Sequence, residues 1–179
     1  MKCTKCGEGT LKKFAGDHVY RESGMEHVIL RNVTKYECEH CHDKSVEIPR
    51  MAQLHRLLAE ILVRKAARLV PSEVRFLRDH LDLTNKGFAA LMGVTEPQAS
   101  RWTTTETMGV PAEHFLRTLA TFGPFVLATE ERAAVEMMPT KPLAETIHAF
   151  PSRDAEAKAT PMRIRRSAKD WQAEVIATA

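Results

Sequence analysis

The chain has 179 residues, 44% of them hydrophobic and 27% charged, and a formal net charge of +3. That length holds one ordinary domain or two small ones, and the composition excludes a disordered chain. No apolar run nears the roughly 18 residues of a membrane span, and the opening MKCTKCGEG lacks the apolar core of a signal peptide, so a cytoplasmic protein with reduced thiols is expected.

The cysteines come first in chain order. All four fall early, as Cys3-x-x-Cys6 and then, after a long gap, Cys38-x-x-Cys41. A redox Cys-x-x-Cys occurs once, in a thioredoxin-like setting that is missing here. Two pairs supply four thiolates, the tetrahedral donor set zinc prefers. Cys3, Cys6, Cys38 and Cys41 are therefore the expected ligands of one structural Zn2+. Four thiolates leave no open position for a catalytic water. A segment of about 50 residues has a poor core, and metal binding can supply the missing folding energy. His40 and His42 are spare donors, expected to be solvated. Gly7 after Cys6 suits a tight knuckle with positive φ, and His42 holds the matching place after Cys41.

Between the pairs, β-leaning runs at 18–21 and 27–33 are separated by Gly16-Asp17 and Ser23-Gly24, both hairpin signals. A last strand is expected at 45–48, and Pro49 ends the unit. This predicts a small antiparallel β domain over residues 1–49.

The periodicity then becomes helical. Met51, Leu54, Leu57, Leu58, Ile61 and Leu62 share one face of a linker helix within residues 50–70, ending near Pro71. Core packing and a bridging or dimer role are both open to it. A helix with Ser72 as an N-cap type follows. In LTNKGFAALMGVTEPQASRW, residues 83–102, Thr84 can cap a helix over 85–92, Gly93 permits a sharp turn, and Thr95 can cap the next helix. Thr95-Glu96-Pro97-Gln98 fits a capping box with proline in the first turn. Two short helices joined by a glycine-containing turn form the helix-turn-helix arrangement, with Phe88, Ala89, Met92, Val94, Ala99 and Trp102 facing inward.

Residues 83–102 resemble the helix-turn-helix of the phage repressor/Xre class, with Ser100-Arg101-Trp102 matching its Ser-Arg-Trp or Ser-Arg-Tyr. The whole order is narrower. An N-terminal MKC-x-x-C, a second Cys-x-x-Cys near residue 40, the Met51-Ala52-Gln53 helix start and the Xre-type segment resemble the MqsA/YgiT-type antitoxins over roughly residues 1–120. The resemblance implies an N-terminal zinc domain that neutralises a RelE-like, mRNA-cleaving ribonuclease toxin. It also implies a dimeric DNA-binding domain, residues 71–128, that represses its own operon. The four cysteines take the family's zinc-ligand positions, and Asn85 and Arg101 fall where this class often touches DNA. Two features depart from the family: Thr103-Thr104-Thr105 replaces the usual Glu-x-Gly, and no early base-reading asparagine can be placed.

A recognition helix presents its N-terminal residues to the major groove. Thr95, Glu96, Gln98 and Arg101 are expected to reach outward, Gln98 toward adenine and Arg101 toward guanine. Against this stand a capping-box role for Gln98, a phosphate contact or surface salt bridge for Arg101, and the repulsion of Glu96 by phosphate. Asn85 and Lys86 at a helix start suit phosphate anchoring. A homodimer would place two such helices about 34 Å apart and read a palindromic operator. Residues 51–128 carry nine Lys and Arg against seven Asp and Glu, so affinity would be modest and salt-sensitive.

Beyond this, residues 113–127 continue as helix and 129–138 add a possible further one. Pro139, Pro142, Pro151 and Pro161 then interrupt the chain. Residues 162–176 read as a short basic amphipathic helix or a flexible tail, making 129–179 a partly helical extension. The expected class is thus α+β. No phosphate loop, nucleophile elbow or His-Glu-x-x-His motif occurs, so no enzyme is expected; a thiol oxidoreductase is the one enzymatic alternative. The functional expectation is an antitoxin, with a stand-alone zinc-containing regulator as the alternative.

Overall fold

The computed structural model describes residues 1–127, 150–152, 154–167 and 170–174. The chain is mixed α and β and divides into two compact units. One unit comprises residues 1–21, 26–54 and 161–179; the other comprises 22–25 and 55–160.

The first unit is built on a sheet. Strand β1 (Leu11–Val19) pairs antiparallel with β2 (Val28–Cys38), which pairs antiparallel with β3 (Lys44–Glu47). Gly16-Asp17, expected as a turn, lies inside β1. The register slips there, from Gly16 opposite Val33 to His18 opposite Leu30, so Asp17 faces both Arg31 and Asn32. Asn32 takes a positive φ of 57° at this bulge, where β2 carries one residue more than β1. The chain reverses later, through a 3-10 turn at Arg21–Ser23 and Gly24 at φ 77°.

Two strands stand in the stretch 162–176, expected as a basic helix or a flexible tail. Met162–Arg166 forms β4 and Trp171–Glu174 forms β5. β4 runs parallel to β2, pairing Val28–Arg31 with Met162–Arg165, and β5 pairs antiparallel with β4. The sheet is thus antiparallel in its N-terminal part and gains one parallel neighbour. β3 and β4 share one edge of β2, at residues 34–37 and 28–31. The alternation in MRIRR carries the strand: Met162 and Ile164 are buried while Arg163 and Arg165 are exposed, a period of two, not 3.6. Tyr20, Val28, Leu30, Val33, Met162, Ile164 and Trp171 form the core of this unit, and the Trp171 indole donates to the Pro49 carbonyl at 2.9 Å. β4 and β5 therefore belong to the sheet and not to a separate extension. The helix expected over 129–138 lies outside the described residues.

Helix α1 (Met51–Arg64) starts in the first unit and ends in the second, the division falling at Leu54/His55. It stops short of the expected Pro71. The second unit adds α2 (Pro71–His80), α3 (Asn85–Met92), α4 (Glu96–Trp102) and α5 (Val110–Leu127). The α2 cap is Val70, one residue before Pro71, and not Ser72. Its backbone N–H donates to Glu73 Oε2 at 2.9 Å, half of a capping box. Val74, Phe76, Leu77, Phe88, Ala89, Ala99, Trp102, Met108 and Leu116 fill the core. Trp102 is one of these inward residues, as expected.

A buried charge cluster fixes the end of α1. Arg117, fully buried, donates from Nη1 to the carbonyls of Leu62 (3.0 Å), Val63 (2.7 Å) and Lys65 (2.9 Å). Its Nη2 reaches Ala67 O and Glu113 Oε1, each at 2.9 Å. These carbonyls are the acceptors a helix C-terminus leaves unpaired, and the cation also faces the negative end of the helix dipole. Glu113 in turn accepts from Leu69 N (3.0 Å) and Arg68 Nε (3.2 Å). Beside them the Lys65 ammonium lies 2.6 Å from Glu73 Oε2.

Candidate functional site

The four cysteines converge. Two knuckles with the same backbone pattern bring them together. Gly7 N–H donates to Cys3 O and His42 N–H to Cys38 O, both at 3.0 Å. Gly7 has φ 72° and His42 φ 55°, so the residue after each second cysteine is left-handed, as expected at Gly7 and found also at His42, a poorer fit by residue type. For histidine that conformation costs about 1–2 kcal/mol. Lys5 in the first knuckle lies 2.6 Å from Asp43 beside the second, and that carboxylate holds the Lys5 ammonium above its ordinary value.

The sulfur geometry suits a metal ion. Cys3 Sγ and Cys41 Sγ are 3.7 Å apart, as are Cys6 Sγ and Cys38 Sγ. All four sulfurs lie within 4.8 Å of one another. A tetrahedron with metal–sulfur bonds of about 2.3 Å has edges of about 3.8 Å. A disulfide would need about 2.05 Å, and the four cysteines are free. Backbone N–H groups point at two of the sulfurs. Gly9 N donates to Cys6 Sγ (3.4 Å), while His40 N (3.4 Å) and Cys41 N (3.5 Å) donate to Cys38 Sγ. The backbone N–H groups of Gly9 and Glu8 bring the Cys6 thiol down to about 6. At Cys41 the Asp43 backbone also acts to lower the value. Burial and hydrogen bonds shared with Cys38, Cys6 and Cys3 outweigh it and push this thiol up to about 12. Four clustered thiols cannot all ionise unaided, so a bound cation would displace their last protons.

Gly9 belongs to this site and went unnoticed in the sequence. A Cβ there would meet Cys38 Sγ at 2.3 Å and His40 Cβ at 2.8 Å. The signal was a second glycine three residues after Cys6, in Cys-Gly-Glu-Gly. His40 and His42 stand outside the cluster, near Glu8 (3.5 Å) and Glu37 (3.7 Å), with side chains 61% and 76% exposed.

The second group of expected residues surrounds α3 and α4. Thr84 Oγ1 accepts from Gly87 N at 3.1 Å, and Thr95 Oγ1 from Gln98 N at 3.4 Å. Both are caps. Gly93 ends α3 at φ 66°, a left-handed stop that suits glycine. Gly87 has a steric context too, since a Cβ there would stand 3.3 Å from Thr84 Oγ1. Asn85 is half-buried, and its Nδ2 donates to Glu96 O at 3.3 Å. That amide ties the two helix starts together instead of pointing to solvent. Lys86, Thr95, Glu96 and Arg101 are exposed, and Gln98 is half-buried. Gln98 does not complete a capping box. Its Nε2 donates to Glu106 Oε2 (3.3 Å) and its Oε1 accepts from Arg101. Arg101 Nε also pairs with Glu106 Oε1 at 2.9 Å. Glu106 is the second residue the sequence reading missed.

No family model matches the chain, and no curated protein or solved structure matches it significantly. Among the described residues, no helix is long and apolar enough to cross a membrane.

Proposed function

We propose that this chain is an antitoxin of the MqsA/YgiT type. Its metal-bearing unit recognises a ribonuclease toxin, and its helical unit binds DNA as a dimer and represses the chain's own operon. The observation that carries this reading is the joint presence, in one chain, of two different devices. One is a four-thiol cluster with tetrahedral edges. The other is a pair of short capped helices, α3 and α4, joined at Gly93, with Thr95, Glu96 and Arg101 exposed at the second.

The donor set fits Zn2+, held by Cys3, Cys6, Cys38 and Cys41. Four thiolates close the coordination shell, so its contribution is to hold the two knuckles and the start of β1 together. Four sulfur donors with no open position suit a structural role and leave catalysis without a site. For DNA, Lys86 and Arg101 supply positive charge near the helix pair, with Thr95 and Gln98 as hydrogen-bonding groups at the start of α4.

A second reading is a stand-alone zinc-containing transcription regulator. One observation favours it. The chain's own β4 fills part of the β2 edge, so a partner would meet a sheet already completed from within, by a segment that lies beyond the antitoxin-like region.

Affinity purification of the tagged full-length chain from its host, with mass spectrometry and metal analysis, tests both. The first reading expects about one zinc per chain and a small, near-stoichiometric partner with RNA-cleaving activity. Recovery of DNA-bound dimers without such a partner, across several growth conditions, would move the conclusion to the second. Failure of the chain to shift its own promoter DNA at low salt would overturn both.

A further inference from the structure

The loop after α4 is folded back onto that helix. The backbone N–H groups of Thr104 (3.1 Å), Thr105 (2.8 Å) and Glu106 (2.8 Å) all donate to the Arg101 carbonyl. Thr103 Oγ1 and Thr104 Oγ1 both donate to Ser100 O, at 2.9 and 2.8 Å. The three threonines thus wrap the C-terminal end of the helix and deliver Glu106 to its outer surface.

There Glu106 closes a ring of three side chains. Its Oε1 takes Arg101 Nε, its Oε2 takes Gln98 Nε2, and Gln98 Oε1 takes an Arg101 Nη2 hydrogen. All three side chains keep solvent access; Arg101 and Glu106 are 47% and 48% exposed. Guanidinium has five N–H donors. Two are engaged in the ring, and the others, on Nη1 and Nη2, remain for an outside acceptor.

We infer that Glu106 is a specificity-determining positioning residue, which orients Arg101 for a guanine edge and withholds it from backbone phosphates. This rests on the DNA-binding reading above. Two physical effects act together. A carboxylate beside Arg101 cancels its charge toward a phosphate, so the sequence-independent part of binding is weakened. The same carboxylate fixes the guanidinium plane, which lowers the entropy lost when its terminal nitrogens fork onto guanine O6 and N7. Gln98, held in the ring, steadies Arg101 and is turned away from the Thr95 backbone. Glu106 touches no base itself.

The test compares the full-length chain with Glu106→Gln, Glu106→Asp and Gln98→Ala. Each is titrated with promoter DNA from its own gene and with a random duplex of equal length, over a series of salt concentrations. Glu106→Gln is expected to bind the random duplex about two- to fivefold more tightly, as removal of one surface charge interaction allows. Its log–log salt slope should steepen by about 0.9, one added phosphate contact. Its preference for promoter over random DNA should fall, and Glu106→Asp should restore most of it. Gln98→Ala, which opens the ring but keeps the carboxylate, should lower the preference and leave the slope nearly unchanged. A purely structural role for Glu106 would change melting temperature but leave the slope and the preference alone, and that result would overturn the inference. If the unaltered chain binds promoter DNA while Glu106→Gln matches it in slope and preference, this inference fails and the DNA-binding reading stands. If the unaltered chain binds neither duplex at low salt, both fail.

Discussion

Replacing Arg117 with alanine should be among the most damaging single changes in the helical unit. The side chain is fully buried and meets four backbone carbonyls, those of Leu62, Val63, Lys65 and Ala67, as well as the Glu113 carboxylate. Burial pulls the guanidinium below its ordinary value, and Glu113 opposes that pull; the group stays charged at any working pH. Alanine removes the cation, strands the carbonyls at the end of α1 and leaves Glu113 with Arg68 as its remaining cation. Breaking a buried pair by deleting one partner costs about 3–5 kcal/mol. A domain of this size holds about 5–15 kcal/mol in all, so roughly a fifth or more of its stability would go, equivalent to a fall in Tm of about 12–40 °C. Urea denaturation followed by circular dichroism measures this directly. Arg117→Lys should recover only part of the loss, because an ammonium cannot fork across several carbonyls and a carboxylate at once. A loss below about 1 kcal/mol for Arg117→Ala, no more than one ordinary hydrogen bond, would refute the assignment of Arg117 as the clamp on α1.

Further outcomes follow from the same geometry. Gly9→Ala should weaken metal affinity by about tenfold or more, in the range seen when groups supporting metal ligands are altered, because its Cβ would stand 2.3 Å from Cys38 Sγ; competition with a chromophoric chelator would read it, and unchanged affinity would contradict the packing. Trp171→Ala should cost about 3–5 kcal/mol and truncation before residue 161 should destabilise the sheet, both seen by denaturation; a truncated chain as stable as the full one would mean that β4 and β5 are dispensable. His55 and His80 lie below their ordinary values, both chiefly through burial, with His55 and Arg56 adding repulsion at His80. The unfolded chain then binds more protons just below pH 6.5, so stability should be full above that pH and fall as pH drops through the lower folded values. The double variant His55→Gln, His80→Gln should flatten that fall in Tm between about pH 7.5 and 5.5, and an unchanged fall would assign the acid sensitivity to other groups.

What could be read from the sequence was local. The paired Cys-x-x-Cys, the positive φ at Gly7, and the α3 boundaries with Thr84, Gly93 and Thr95 all depend on residues within a few positions of one another. Glycine and threonine signal such geometry directly through their steric and capping preferences. Gly16-Asp17 misled because a glycine followed by a polar residue serves a bulge as well as a turn. Only the partner strand, which brings Asp17 opposite two residues, decides between them. Arg117 and Glu113 carry no local mark of burial, since opposite charges at i,i+4 spacing suit a helix surface equally well. Their burial depends on carbonyls far earlier in the chain, those of Leu62 to Ala67, which no window of local pattern contains.

The C-terminal strands make the same point at greater length. Arg163, Arg165 and Arg166 suggested a basic helix because three cations close together look like a solvated face. The decisive feature was smaller: Met162 and Ile164 alternate with them, and both are buried. So short an alternation is weak alone, and β4 has meaning only beside β2, distant in sequence, where Ile164 pairs with Leu30. Parallel pairing needs a crossover connection, and here helices α1 to α5 lie within that connection. Closing such a loop costs entropy before any contact is gained, which makes the pairing slow to form. The N-terminal strands therefore cannot reach their final packing until Met162–Arg166 has been made. The four-thiol cluster depends on no such partner, since all its ligands fall between Cys3 and Cys41. A metal ion bound at that cluster would hold β1, β2 and β3 together early, ready to receive β4, and would then have a folding role as well as a structural one.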